Sequence, residues 1–179
     1  ILLLTFHHIV IDAWSATVFY RELGALYNAF VQQQPSPLAD LPVQYADFAV
    51  WQRTWLQSQA FKTQLAYWQT QLADLAPLQL PTALRGRPAK QSYHGAQQAI
   101  PFSDALVTSL HGLSQQAGAS LFTTLLAAFQ TLLYRYTGQD DIVVGAPIAN
   151  RSRPEIEGLI GCFTNTLVLR SDFAGNPTF

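Results

Sequence analysis

Phe6-His7-His8-Ile9-Val10-Ile11-Asp12-Ala13-Trp14-Ser15 is the stretch on which the reading of this chain turns. The apolar run Ile1-Leu2-Leu3-Leu4 stands before it, so residues 1–6 are expected to form a buried strand that delivers His7 and His8 to its end. Adjacent side chains point in different directions whatever the local structure, so one histidine can face a cavity while the other is fixed in the scaffold. An imidazole is suited to accept or position a proton near neutral pH, and the Asp12 carboxylate four residues on can tie down the loop through a charge-assisted bond. The residue types alone leave other readings open. A strand-end histidine is commonly just a satisfied polar residue, and His-x3-Asp spacing can supply two metal ligands on a helix. The pair is expected at a strand end, however, and no convincing third ligand accompanies it. His94 and His111 lack acidic or cysteine neighbours and read as surface or loop residues.

Working outward, Asp12 or Ser15 can cap a helix that runs from Trp14 to about Gln33, with Val18, Phe19, Leu23, Leu26, Tyr27 and Phe30 on one face. Pro42 opens a second helical stretch whose aromatics Tyr45, Phe48, Trp51 and Trp55 read as core rather than as a cofactor box. A third follows with Phe61, Leu65, Trp68 and Leu72. Between Ala76 and Ser92 the periodicity collapses into Pro77, Pro81, Arg85, Gly86, Arg87 and Pro88, the composition of a linker. Beyond it, Ala96 to Phe102 reads as a weak strand. Ser103 starts a helix that Gly118 ends, and Ser120 caps another that Gly138 closes. Asp141 to Ala149 reads as a buried strand, Pro154 to Glu157 as a helical turn and Phe163 to Phe173 as a strand. The apparent alternation of strand and helix gives an α/β class.

Composition narrows the function. The 179 residues are 49% hydrophobic and 12% aromatic, enough to build a packed core. Ten Lys+Arg against 11 Asp+Glu give a net charge of -1, so no basic field exists to hold a phosphate backbone and a nucleic-acid role is not expected. Apolar stretches of a few residues fall far short of the roughly 20 that span a bilayer, so no membrane association is expected. The single cysteine, Cys162, can form no internal disulfide and is expected to be a small buried hydrophobe. These features fit a cytoplasmic protein. With no methionine and an opening inside an apolar run, the chain is expected to be a piece of something longer.

Four segments, in order, carry a resemblance. His7-His8-x-x-x-Asp12 is similar to the HHxxxDG signature of nonribosomal peptide synthetase condensation domains. Tyr45-Ala46-Asp47-Phe48-Ala49-Val50-Trp51-Gln52 resembles the YxDYAVWQ motif. Asp141 to Arg151 resembles the family's strand and arginine segment, and Ile160-Gly161-Cys162-Phe163-Thr164-Asn165-Thr166-Leu167 its IGxFVNT motif. The likeness runs from end to end, without the family's opening motifs and its last two. It implies a two-lobe fold similar to chloramphenicol acetyltransferase, present here only as a central fragment. Residues 1–76 would end the N-terminal lobe, 77–92 would link the lobes and 93–179 would begin the C-terminal lobe, with the active site in a tunnel between them.

The resemblance also implies an acyltransferase that forms an amide bond in secondary metabolite biosynthesis. Donor and acceptor peptidyl carrier domains would present their thioesters on phosphopantetheine arms, alongside an adenylation domain of the same assembly line. No cofactor or metal would be bound directly. By position His8 matches the catalytic histidine, His7 is supporting, and Asp12 matches a carboxylate in a structural salt bridge for which Arg151 is the chosen partner. The sequence departs from the pattern at Ala13, usually glycine, where a methyl group would matter if the position needed a positive φ or a backbone N–H close to an oxyanion. It departs again at Thr164, usually valine, expected on a strand. The segments around Asp12, Arg151 and Arg170 look most like domains joining two L-configured units. The fragment alone is expected to be inactive. Competing readings are an epimerisation domain, an acyl-CoA-dependent acyltransferase of the same fold, and a catalytically silent carrier-docking module. An epimerisation domain needs a second acid/base residue for which no candidate stands out, and silent modules tend to lose the second histidine.

Overall fold

The computed structural model describes residues 1–81, 90, 94–175 and 177. Among the described residues five α-helices come first: α1 (Ala13–Val31), α2 (Tyr45–Trp55), α3 (Gln59–Gln71), α4 (Asp104–Gln116) and α5 (Leu121–Thr137). Strand β1 (Asp141–Ile148), a 3-10 turn (Pro154–Ile156) and strand β2 (Asn165–Asp172) follow. The content is mixed, as an α/β reading requires, but helix and strand do not alternate along the chain.

Local chemistry sets the helix ends. Asp12 lies in an extended conformation and accepts the Ser15 N–H, while Ser58, Ser103 and Ser120 do the same for Phe61, Leu106 and Thr123. Each cap satisfies a backbone donor that the first turn leaves orphaned. Helix α2 starts three residues after Pro42, where the Asp47 carboxylate accepts the Gln44 N–H at 2.8 Å. Gly138 closes α5 in the left-handed region at φ +67°, a conformation that glycine adopts without a Cβ penalty.

The expected strand at 1–6 is absent. Those residues form no ladder and are exposed, Leu3 at 87%. A strand is completed only by a neighbour that takes its backbone N–H and C=O groups, and among the described residues the only sheet is the pair β1-β2. The weak strand expected at Ala96 to Phe102 is likewise unpaired and exposed. The β1-β2 pair is antiparallel. Phe173 N–H donates to Asp140 C=O at 2.8 Å, and further along β1 it is Thr166, earlier in β2, whose Cγ2 lies 3.1 Å from where a Cβ on Gly145 would stand. Only Ile142 of β1 is fully buried, so this is not the buried strand expected.

The contacts divide the chain into two compact units, Ile1–Ala73 with Gly145–Leu167, and 74–144 with the residues from Val168 onward. Each strand has one part in each unit. A division by sequence order alone puts 145–167 with the second half of the chain, whereas their contacts are with the first. Of the expected linker, Pro77 to Pro81 lie in the second unit, and Arg85, Gly86, Arg87, Pro88 and Ser92 fall outside the described residues.

The first unit is built on Phe48, Ile156, Leu159 and Phe163, with Val43 packed against them. Burying each such side chain stabilises the unit by about 1.5–3 kcal/mol. From Phe48 a row of rings continues along α2 at spacings of three and four, Phe48 to Trp51 at 5.7 Å and Trp51 to Trp55 at 6.2 Å. Only Phe48 of that row is buried; Tyr45 and Trp51 keep more than a third of their surface exposed, so they are not wholly the core side chains expected. In the second unit α4 and α5 pack together after a 102° change of direction, tied by a 2.7 Å bond between the Ser114 and Thr124 hydroxyls. Gln130 of α5 reaches β2, donating to Leu169 C=O and accepting from the Ser171 hydroxyl. No single helix among the described residues is long and apolar enough to cross a membrane.

Candidate functional site

The two histidines sit in a turn closed by the Val10 N–H donating to His7 C=O at 3.1 Å. His7 Nδ1 accepts the Ile9 N–H at 3.1 Å, so one nitrogen of this exposed ring is engaged locally in holding the turn. His8 makes no such bond to the turn. Its ring is exposed, and Nδ1 lies 3.7 Å from Cys162 Sγ.

Asp12 follows the turn and is buried at 3% exposure. Its Oδ1 accepts the Ser15 N–H at 2.8 Å and Arg151 Nη2 at 3.4 Å, while Oδ2 accepts the Phe163 N–H at 3.0 Å and the Thr164 hydroxyl at 3.3 Å. The carboxylate thus caps α1 and ties its start to the segment before β2. Ser15, fully buried, extends the network: its hydroxyl donates to Gly161 C=O at 2.7 Å and accepts the Gly161 N–H and Arg151 Nη2. Arg151 Nη1 donates to the carbonyls of Ile156 and Leu159, and the guanidinium lies 4.1 Å from the centre of the Phe163 ring. A cation over a desolvated ring face is attractive. Arg151 Nε is buried without a partner.

Burial by itself pushes the Asp12 carboxyl up, but the N–H donors of Ser15 and Phe163 and the Arg151 charge outweigh it and hold the group well below the usual carboxylate range. Burial likewise lowers Arg151 from its ordinary value, and the Asp12 charge partly restores it. The sign for stability follows. The folded state prefers the carboxylate, so the contribution of Asp12 is complete above its unfolded value of about 3.9 and is lost as pH falls toward the lower folded value. The stability difference between the complete wild-type domain and its Asp12→Asn variant should therefore be level from neutral pH to about pH 5, and shrink only below about pH 4. Urea unfolding across that range checks it.

Ala13 is the first residue of α1 and is not among the residues with positive φ, so its methyl group brings no backbone strain. Thr164 precedes β2 rather than lying on it, and its hydroxyl serves Asp12. His94 and His111 are both exposed, the latter on α4. Among the described residues no three metal-ligating side chains converge.

Two features escape a reading of the sequence. Cys162 is not a buried hydrophobe: it stands half-exposed between buried Gly161 and Phe163, with its thiol toward His8. Gly161 is needed for lack of a side chain. A Cβ there would overlap the edge of the Tyr45 ring, and that ring is fixed by its hydroxyl donating to Cys162 C=O at 2.8 Å and by edge-on packing against Phe163. Burial first, and then the neighbouring Cys162 and Asp12, raise the Tyr45 hydroxyl above its ordinary value. Gly161→Ala should destabilise the complete domain by about 1–3 kcal/mol, the cost of overpacking, and thermal unfolding measures it.

Comparison with known proteins gives the family and the fold. The condensation domain family matches residues 1–179. A linear gramicidin synthase protein of Brevibacillus parabrevis is 54% identical over 180 residues, which cover 100% of this chain and 2% of that protein. The crystal structure of the X-domain from teicoplanin biosynthesis superimposes with a TM-score of 0.87 at 30% identity, over 96% of this chain and 39% of that one. The first condensation domain of the calcium-dependent antibiotic synthetase, in complex with a substrate analogue, gives 0.73 at 26% identity, over 92% and 37%. The chain thus spans a small fraction of its synthetase relative and about two fifths of each structural neighbour. Its fold is the chloramphenicol acetyltransferase-like fold of those neighbours, of which it is a fragment. The match of the condensation domain over residues 1–179 places this protein in the condensation domain family.

Proposed function

We propose that this chain is the central part of a condensation domain in a nonribosomal peptide synthetase, and that the complete domain joins a donor acyl or peptidyl thioester to an acceptor aminoacyl thioester. Residues 1–76 and 93–179 would belong to its N-terminal and C-terminal lobes, with 77–92 between them. Both substrates arrive on the phosphopantetheine arms of carrier domains, loaded by an adenylation domain of the same assembly line, and both units are L-configured.

The observation that carries this reading is the division of labour in the turn before α1. Both imidazoles are exposed, but Asp12 is consumed by the scaffold and His7 is tied through Nδ1 to its own turn, which leaves His8 as the imidazole with no bond to the turn. In the reaction, the acceptor amine lone pair attacks the donor thioester carbon. The nitrogen gives up a proton, the C–S bond breaks, and the sulfur leaves as a thiol once reprotonated, so an amide replaces a thioester. His8 positions the amine or takes its proton, work suited to an imidazole near neutral pH. Holding two tethered reactants in line accounts for much of the remaining rate.

The complete domain, incubated with a donor and an acceptor carrier each bearing an L-aminoacyl thioester, should move the donor acyl group onto the acceptor carrier, read as a mass gain on that carrier. The 179-residue chain alone should transfer nothing. Inversion of an α-carbon without acyl transfer would contradict the proposal.

A further inference from the structure

We propose that Cys162 is a positioning residue for His8, holding the ring so that Nδ1 is occupied by the thiol and Nε2 is the nitrogen offered to the reacting amine. This rests on the assignment of His8 made above.

The geometry has three parts. Cys162 Sγ and His8 Nδ1 are 3.7 Å apart, within reach of a hydrogen bond involving sulfur. Cys162 is itself fixed: its carbonyl accepts the Tyr45 hydroxyl at 2.8 Å, and its neighbours Gly161 and Phe163 are held through their N–H groups by Ser15 and Asp12. The thiol therefore projects from one of the best-anchored segments of the first unit toward one of its least anchored rings. An exposed histidine with no other partner samples several rotamers, and a single bond to one ring nitrogen selects among them.

The bond also bears on which nitrogen carries the proton. When Nδ1–H donates to sulfur, Nε2 is left with its lone pair and can accept a proton from the amine. When the thiol donates to Nδ1, Nε2–H becomes a donor toward the substrate. Both arrangements leave Nε2 facing the reaction, which is what positioning requires. The same network explains why Asp12 does not do this job: both of its oxygens are engaged with Ser15, Arg151, Phe163 and Thr164, away from the imidazole.

The test uses the complete domain with loaded carriers and four variants, Cys162→Val, Cys162→Ala, Cys162→Ser and His8→Ala, each also measured for thermal unfolding. Valine keeps the bulk of cysteine and removes the polar atom; serine keeps a polar atom at slightly shorter reach. We expect Val and Ala to lower kcat about tenfold with KM for the carriers unchanged, in line with the cost of misplacing a catalytic group. Ser should restore part of the loss, and unfolding midpoints should stay close to wild type. A packing role would instead spare Val and show as a lowered midpoint. If His8→Ala abolishes transfer while Cys162→Val and Cys162→Ala retain wild-type kcat, the positioning role is wrong and the assignment of His8 survives. If His8→Ala transfers normally, both fall.

Discussion

Asp12→Ala should cost the complete domain about 3–5 kcal/mol of folding stability, the expected consequence of removing one member of a buried ion pair. The size follows from what is left behind. Both side chains are almost wholly buried, that of Arg151 at 1% and that of Asp12 at 0% exposure. Without the carboxylate, the Arg151 guanidinium has no counter-charge, the Phe163 N–H loses its acceptor, and α1 loses its cap. Asp12→Asn should cost less, because an amide oxygen can still accept the Ser15 N–H, although the charge is gone. Arg151→Met on the wild-type background should be similarly harmful, while the double variant Asp12→Ala with Arg151→Met should lose less than the sum of the two. That non-additivity is the signature of groups that share one network. Chemical denaturation of the four proteins gives the cycle directly. A loss of turnover in Asp12→Ala that tracks the loss of folded protein belongs to the scaffold.

How much of this is legible in the sequence depends on whether the governing interaction is local. The caps at Ser103 and Ser120 and the start of α1 at Asp12 follow from side chains that bond to nearby backbone within a turn, and the stop at Gly138 follows from a residue without a Cβ; a sequence shows both. The pairing of Asp12 with Arg151, 139 positions apart, comes through resemblance and not through spacing. Other features depend on distant surroundings. Residues 1–6 have the composition of a strand, but a strand exists only beside a partner, and none is paired to them among the described residues. The hydrophobic row on α1 correctly marks a helix, yet several of its members, Tyr27 and Phe30 among them, are exposed rather than core. Periodicity names a face without saying what covers it. Cys162 departs from expectation because its residue type is usually buried, whereas here it stands half-exposed between two buried neighbours. Ser15 looks in the sequence like a rival cap to Asp12. It lies instead at the third position of α1, where its hydroxyl binds Gly161 and Arg151 across the unit.

The second large effect concerns chemistry. His8→Ala should reduce amide-bond formation by about 10²–10⁴-fold, the usual range for removing a positioned proton-transfer group. It should cost almost no stability, because the ring is exposed and its one bond, to Cys162, is long. Asp12→Ala should do the reverse in kind, lowering stability by several kcal/mol. The two residues are four positions apart in one motif, so the contrast separates a reacting group from the frame that holds it. The most direct measurement takes His8→Ala in the complete domain and records, on one preparation, its unfolding midpoint and its rate of acyl transfer between loaded carriers. The account predicts an unchanged midpoint with transfer all but lost; wild-type transfer at an unchanged midpoint would contradict it.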